Sequence, residues 1–336
     1  MNGNTIGKIF KVTTFGESHD KVVGTIIKGC PPGLDISLSK IQMDLDRRRP
    51  GQSKLTSSRN EPDELEVISG IKNGKTTGRK IKLQVKNIDT RSKDYKTIIY
   101  KPRPGHADLT YFLKYGKIPV GGGRASGRET VGRVLAGAIA KQILEKEGIE
   151  IKGKIIEIYG KKKDFEKIIL NAKSGQNSVG GIVEIIAKGV PPNLGEPVFD
   201  KLDADLAKAL MSISAVKGFE IGIGFQSSRI KGSENNDPII IENEKIKTKT
   251  NNAGGILGGI SNGMPIICRI AVKPTSSIEK EQDTVNLKTM KMTKLRIKGR
   301  HDPCICPRIV PVAEAMVALV LVDHLLRLRN EGLEIT

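Results

Sequence analysis

Two heptapeptides, KGCPPGL at residues 28–34 and KGVPPNL at 188–194, agree at five of seven positions in a chain of 336 residues. Each follows a β-branched run, 22–27 or 182–186, that reads as a strand. Each also precedes a helix-like segment of the form Lys-[Ile/Leu]-x-x-Asp-Leu, at 40–45 and 201–206. A strand, a Pro-Pro turn and a helix therefore recur about 160 residues apart, which predicts an internal duplication and a pseudo-twofold core. Few folds satisfy that.

The remaining periodicities fill in the class. Residues 131–147 carry helical apolar spacing with small residues and stop at Gly148, and 311–329 form a second apolar helix with Pro311 at its start and Gly332 beyond its end. Short strands are expected at 80–85, 220–225 and 266–272, and 161–177 is the most loop-like stretch. Helices and strands are segregated rather than alternating, so the class is α+β, organised as one domain over 1–336.

Four polar constellations carry chemistry. In 13–20 (TTFGESHD) a strand stops at a glycine and presents Glu17, Ser18 and His19; His19 suits a general acid or base. In 46–54 (DRRRPGQSK) three arginines end a helix, an anion clamp or, for one of them, a partner of the helix C-terminus. The third runs from RPGHAD at 103–108 to GGGRASGRET at 121–130, ahead of the predicted helix. A triple glycine with Arg124 and Ser126 at a helix N-terminus is a phosphate cradle, and its spacing fits neither a P-loop nor a dinucleotide fingerprint. The fourth joins KPTSS at 273–277 to GRHDPC at 299–304, where Asp302 accepts a proton, orients a partner or caps a turn.

Charge narrows the ligand. With 56 Lys and Arg against 37 Asp and Glu, the net charge is +19, which calls for an anionic partner. Only 4% of residues are aromatic and none is Trp, so a base-stacking nucleic-acid platform is disfavoured and small polyanions fit better. No apolar run approaches the ~20 residues that span a bilayer, and the N-terminal segment lacks the apolar core of a signal peptide, so no membrane association and a cytoplasmic location are expected. Cys30, Cys268, Cys304 and Cys306 lack metal spacing and read as reduced thiols, with no metal site.

Taken in order, GESH, DLDRRRPG, RPGHAD, GGGRxSxRET, AGGILGGIS, KPTSS and GRHDPC resemble the chorismate synthase family over nearly the whole chain. The resemblance implies an α+β fold with helices sandwiched between antiparallel sheets, a homotetramer, and a 1,4-trans elimination of phosphate from 5-enolpyruvylshikimate 3-phosphate. That reaction needs reduced FMN although it is redox-neutral. By motif match, His106 stabilises the departing phosphate, His19 neutralises the reduced flavin, and Asp302 manages the proton at the flavin N5 edge. FMN contacts fall on Arg124, Ala125, Ser126, Ser214, Ala215, Gly258, Lys273, Pro274, Thr275, Ser276, Ser277 and Arg300. Arg48 and Lys54 map to NADPH or other anion positions, and Arg49, Arg128 and Arg133 to substrate clamps. Asp20, Ala125, Ser214 and Lys54 depart from the residues usual in the family. A flavin enzyme with net nicotinamide oxidation and a nucleic-acid-binding protein are the rival readings.

Overall fold

The computed structural model describes residues 2–57, 59, 61–88, 99–297, 299, 301–330 and 332. The first half runs β1 (Thr5–Ile6), β2 (Lys11–Phe15), β3 (Val22–Lys28), α1 (Leu38–Arg48), β4 (Glu66–Ser69), β5 (Ile81–Lys86), α2 (Asp108–Tyr115) and α3 (Thr130–Lys146). The second runs β6 (Glu150–Ile158), α4 (Phe165–Ser174), β7 (Gly181–Lys188), α5 (Leu202–Met211), β8 (Val216–Ile221), β9 (Ile266–Val272) and α6 (Cys306–Asn330).

The predicted duplication is present in the topology. One antiparallel sheet has the order β1-β2-β3-β5-β4 and the other β8-β9-β7-β6, so β2-β3-β5-β4 corresponds strand for strand to β6-β7-β9-β8. In chain order each half has two strands, a helix, two strands and a long helix, with α2 inserted ahead of the long helix in the first half and α4 between the first two strands in the second. The two heptapeptides form the same turn. Gly33 and Asn193 occupy matching positions with φ of 75° and 76°. Glycine and asparagine are the residues that accept this left-handed conformation at least cost, which explains the exchange between the repeats.

A hydroxyl clamps each turn. Thr76 Oγ1 donates to the Pro31 carbonyl at 2.7 Å and accepts from the Leu34 amide at 2.9 Å. Ser261 Oγ does the same in the second half, to the Pro191 carbonyl at 2.6 Å and from the Leu194 amide at 2.9 Å.

The long helices form the middle layer. α3 lies on β2, β3 and β5, α6 lies on β6 and β7, and the two pack on each other with α1 and α5 alongside. Helices thus sit between two antiparallel sheets, as expected, and one apolar cluster runs through both halves from Phe10 to Leu328. The crossing is close because α3 carries Gly137 there; a Cβ at that position would overlap Ala315. Both helices are apolar on nearly all sides, the signature of a helix buried on all sides. α6 is long and apolar enough to cross a membrane by length and composition, and its most apolar window is entirely buried inside the protein.

Three expectations need correction. α6 begins at Cys306 rather than at Pro311, which lies inside the helix; Pro307 takes the first turn, where an absent N–H costs nothing. Residues 165–174 are helix α4 rather than loop, because Phe165, Ile168, Ile169 and Ala172 make an apolar stripe that the surrounding lysines mask. The strand predicted at 220–225 is β8, 216–221; Gly222 and Gly224, with φ of 57° and 55°, turn the chain out of the sheet.

Candidate active site

A cavity of about 350 Å³ opens at the end of the helix layer where α3 and α6 both begin. Its walls come from pseudo-equivalent pairs of loops. The α1–β4 loop supplies Pro50, Ser57 and Arg59, and its counterpart between α5 and β8 supplies Ser214 and Ala215. The β5–α3 connection brings Arg103, Gly105, His106, Gly121 and 125–128, and its counterpart between β9 and α6 brings 273–277, His301, Asp302 and Ile305. The β2–β3 loop adds Ser18 and His19. The duplication therefore sends two helix N-termini, each the positive end of a peptide dipole array, to one place.

The triple glycine has a different use from the one expected. Gly121, Gly122 and Gly123 have φ of 63°, 86° and 51° and form a tight turn ahead of α3. A Cβ on Gly121 would fall inside the His19 ring, and one on Gly122 would lie 3.1 Å from His106 Cε1. The glycines are the gap into which two histidines pack, one from the β2–β3 loop and one from the β5–α3 connection. His19 Nδ1 lies 3.0 Å from Ser18 Oγ, which in turn reaches the Gly121 carbonyl at 3.2 Å. Burial, then the nearby Arg59 cation, lower the His19 pKa, so its neutral form is favoured. Asp20 does not crowd it: its carboxylate accepts from the Glu17 amide at 2.8 Å and closes the turn.

His106 is set by Arg103 and Asp108. Its Nδ1 lies 2.6 Å from Asp108 Oδ1, and Arg103 holds the same carboxylate through Nε at 2.6 Å and Nη2 at 2.8 Å. In the fourth motif, Lys273 Nζ bonds the Gly105 carbonyl, Ser276 Oγ donates to that carbonyl at 2.7 Å, and Ser277 Oγ accepts from Arg103 at 3.4 Å. Desolvation, then the Lys217 charge, lower the Lys273 pKa. Thr275 Oγ1 and His301 Nε2 are buried without a hydrogen-bond partner among the described residues. Desolvation, then Arg103, also lower the His301 pKa. Asp302 is engaged on both oxygens, by the Ser57 amide at 2.8 Å and by Arg308 at 2.6 Å.

Of the residues expected at the site, His19, His106, Asp302, Ala125, Ser126, Ser214, Ala215 and 273–277 line the cavity together. Arg128 reaches the wall, but its guanidinium is spent on Asp63, Asn87 and the Lys86 carbonyl. Arg48 is 1% exposed and paired with Asp63, while Arg47 makes a bidentate pair with the buried Glu314 at 2.7 and 2.8 Å. Arg48 is thus an internal strut, and the exposed Arg47 is tied to the buried Glu314, so carboxylates elsewhere in the chain engage two of the three consecutive arginines. Arg49 and Lys54 lie outside the cavity wall, as does Arg133, which is tied to Glu129 and Ser212. Arg124 turns back to the Thr14 hydroxyl and the Gly16 carbonyl, both at 2.7 Å. Gly258 sits in a separate turn between Ile256–Leu257 and Ile260–Ser261. Arg300 lies outside the described residues.

The cavity also contains residues not singled out from the sequence: Ser57, Arg59 and Arg308, with Arg103 from a quoted motif. The first three sit in segments with no glycine pattern to mark them. Among the described residues Asp302 is the only carboxylate that lines the cavity, against Arg59, Arg103, Arg128, Lys273 and Arg308.

Comparison with known proteins agrees with the motif resemblance. The family model for chorismate synthase matches residues 10–326. A chorismate synthase of Methanococcoides burtonii is 54% identical, with 97% of both chains covered. That of Methanosarcina barkeri is 53% identical at the same coverage, and that of Crocosphaera subtropica 52% identical over 98% of each chain. A crystal structure of chorismate synthase superposes with a TM-score of 0.75 at 29% identity, covering 98% of this chain and 95% of the other.

Proposed function

The chain belongs to the chorismate synthase family, and from that premise we propose how its residues carry out the family's lyase reaction, the loss of phosphate from 5-enolpyruvylshikimate 3-phosphate that yields chorismate in the shikimate pathway. The observation that carries the reading is the convergence of His19 and His106 on Gly121 and Gly122, in a cationic cavity at two helix N-termini. A substrate with one phosphate and two carboxylates suits that donor set. Arg59, Lys273 and Arg308 hold the anion, and His106, as the imidazolium, donates its Nε2 proton to the phosphate oxygen as the C–O bond breaks. His19, kept neutral by its surroundings, takes up a proton when negative charge appears beside it.

Reduced FMN is the cofactor in this reading. Ala125, Ser126, Ser214, Ala215 and 273–277 would hold it, and the buried Thr275 Oγ1, without a hydrogen-bond partner among the described residues, fits a polar ligand at that wall. When bound, the flavin supplies transient electron density and helps remove the C6 hydrogen. Asp302, with both oxygens engaged, orients Ser57 and Arg308 around that edge. We read the internal arginines Arg48 and Arg128 as supports of the site rather than as ligand contacts.

Assembly as a homotetramer is part of the proposal. Ile239, Ile241, Ile246 and Phe199 are 75%, 79%, 78% and 91% exposed, an apolar surface that a second copy would cover. The cytoplasm suits four buried thiols that form no disulfide among the described residues.

The test is anaerobic phosphate release from 5-enolpyruvylshikimate 3-phosphate, run once with chemically reduced FMN and once with FMN plus NADPH. Release in the first arm is expected, and its absence from folded protein refutes the reading. Release in the second shows that the protein reduces its own flavin. Nicotinamide consumed in proportion to product instead identifies a net reductase.

A further inference from the structure

Asp108 is fully buried and does not line the cavity, yet it touches the one residue assigned to the departing phosphate. It is the first residue of α2, where an acidic side chain usually serves the helix's own amides. Here the carboxylate faces the other way. Oδ2 accepts from the Arg103 amide at 3.0 Å and from Arg103 Nε at 2.6 Å, while Oδ1 meets Arg103 Nη2 at 2.8 Å and His106 Nδ1 at 2.6 Å. Burial alone would raise its pKa, but the hydrogen bonds from Arg103 and His106 hold it well below the usual carboxylate range, so it is a permanent anion near neutral pH.

That anion decides the His106 tautomer. Arg103 Nη2 also lies 3.1 Å from His106 Nδ1. A guanidinium can only donate, so bonding there would need a bare Nδ1 lone pair, facing a carboxylate oxygen at 2.6 Å. Two lone pairs at that distance repel, and the shorter contact prevails: Nδ1 carries hydrogen and donates to Asp108. The nitrogen left to gain or lose a proton is Nε2, which lies on the Gly122 side of the ring, in the cavity wall.

We propose that Asp108 is a positioning residue, which holds the His106 Nδ1–H in the neutral ring and in the imidazolium alike, so that Nε2 faces the leaving phosphate and the proton passed to it is the Nε2 proton of the imidazolium. The catalytic half of this statement rests on the reading of His106 given above; the tautomer does not.

The two parts are tested separately. In ligand-free protein with ¹⁵N-labelled histidine, neutral His106 should give a protonated Nδ1 and a bare Nε2 resonance. The opposite pattern in the wild-type protein overturns the proposal without any variant. Asp108→Asn should move both resonances toward the averaged values of mixed tautomers and lower kcat by roughly 10²-fold, the scale of lost general acid catalysis, with KM changed less than about threefold. Asp108→Glu should recover part of the loss. An unchanged tautomer with unchanged kcat in folded Asp108→Asn refutes the role. If His106→Ala turns over like wild type while the resonances are as expected, the assignment of His106 fails and the Asp108 contact stands.

Discussion

Replacing Asp63 by Asn should be among the most damaging single changes in the chain. Asp63 is fully buried and answers two buried cations, Arg48 at 1% and Arg128 at 3% side-chain exposure. Desolvation, only partly offset by Asp63, pushes the Arg48 pKa down to about 10, which measures how poorly water serves that guanidinium. Removing one partner of a buried ion pair costs about 3–5 kcal/mol because the other charge is left stranded. Here Arg48 loses its carboxylate while Arg128 is left with Glu61 at 3.8 Å, so a loss within that range is expected, against a total stability of about 5–15 kcal/mol. Arg48→Met should cost less, since Asp63 keeps Arg128. Denaturation followed by circular dichroism, needed because the chain has no tryptophan, should give midpoints in the order wild type, Arg48→Met, Asp63→Asn, with unchanged slopes. A loss below about 1 kcal/mol for Asp63→Asn would refute the reasoning. Arg48→Met that leaves the midpoint alone and raises only KM would return Arg48 to the ligand.

Three further outcomes follow from single observations. Gly121→Ala should cost more stability than Gly116→Ala and lower turnover at least tenfold by displacing His19; Gly116 has a similar φ of 72° but open space around it, so it reports the backbone cost alone, about 1–2 kcal/mol. Equal losses in thermal denaturation and equal activity would refute the steric account. The folded protein should lose stability as pH falls below about 6.5. His19 and His301 both have depressed pKa values, so the unfolded chain protonates first, and the loss continues down to each folded value. Denaturation midpoints across pH 5–7.5 should show it, and His301→Gln should flatten the slope. Thr76→Val and Ser261→Ala should destabilise by similar amounts, about 1–3 kcal/mol each by urea denaturation, because each leaves a part-buried proline carbonyl and a leucine amide without the same clamp; very unequal losses would show that the two turns are not equivalent.

Local pattern carried the fold far. The repeated Pro-Pro heptapeptide implied a duplicated core, and the strand-for-strand match of the two sheets follows from it. The apolar helices were legible because burial on all sides leaves a continuous hydrophobic run. Boundaries failed where a second residue of the same type competed, as with Pro307 and Pro311 at the start of α6. At the site, the glycine and histidine motifs fall on loops that line the cavity, while Arg47 and Arg48 are engaged by carboxylates for a physical reason. Whether a guanidinium is free depends on carboxylates far away in sequence, and the partners of Arg47 and Arg48 lie 267 and 15 residues away. Ser57, Arg59 and Arg308 had no local signal, because only folding brings them to the cavity.

The duplication also explains why a nearly symmetric scaffold has one site rather than two. Both long helices begin at the same end of the layer, so two pseudo-equivalent anion-attracting ends share one cavity instead of making one each. What breaks the symmetry is the first connection of each half. The β2–β3 loop is short and delivers His19, whereas the β6–β7 connection is filled by α4 and contributes nothing to the wall. His106 and the glycine gap likewise come from the first half, and the hydroxyl-rich 273–277 stretch from the second. In the proposed reading the first half supplies His19 and His106 together with the Ala125 and Ser126 part of the flavin wall, and the second half Ser214, Ala215 and 273–277. Exchanging the β2–β3 loop for an unrelated turn should therefore lower turnover far more than cofactor affinity, since none of the residues assigned to the flavin lies on that loop; equal loss of both in flavin titrations and phosphate release would contradict this assignment.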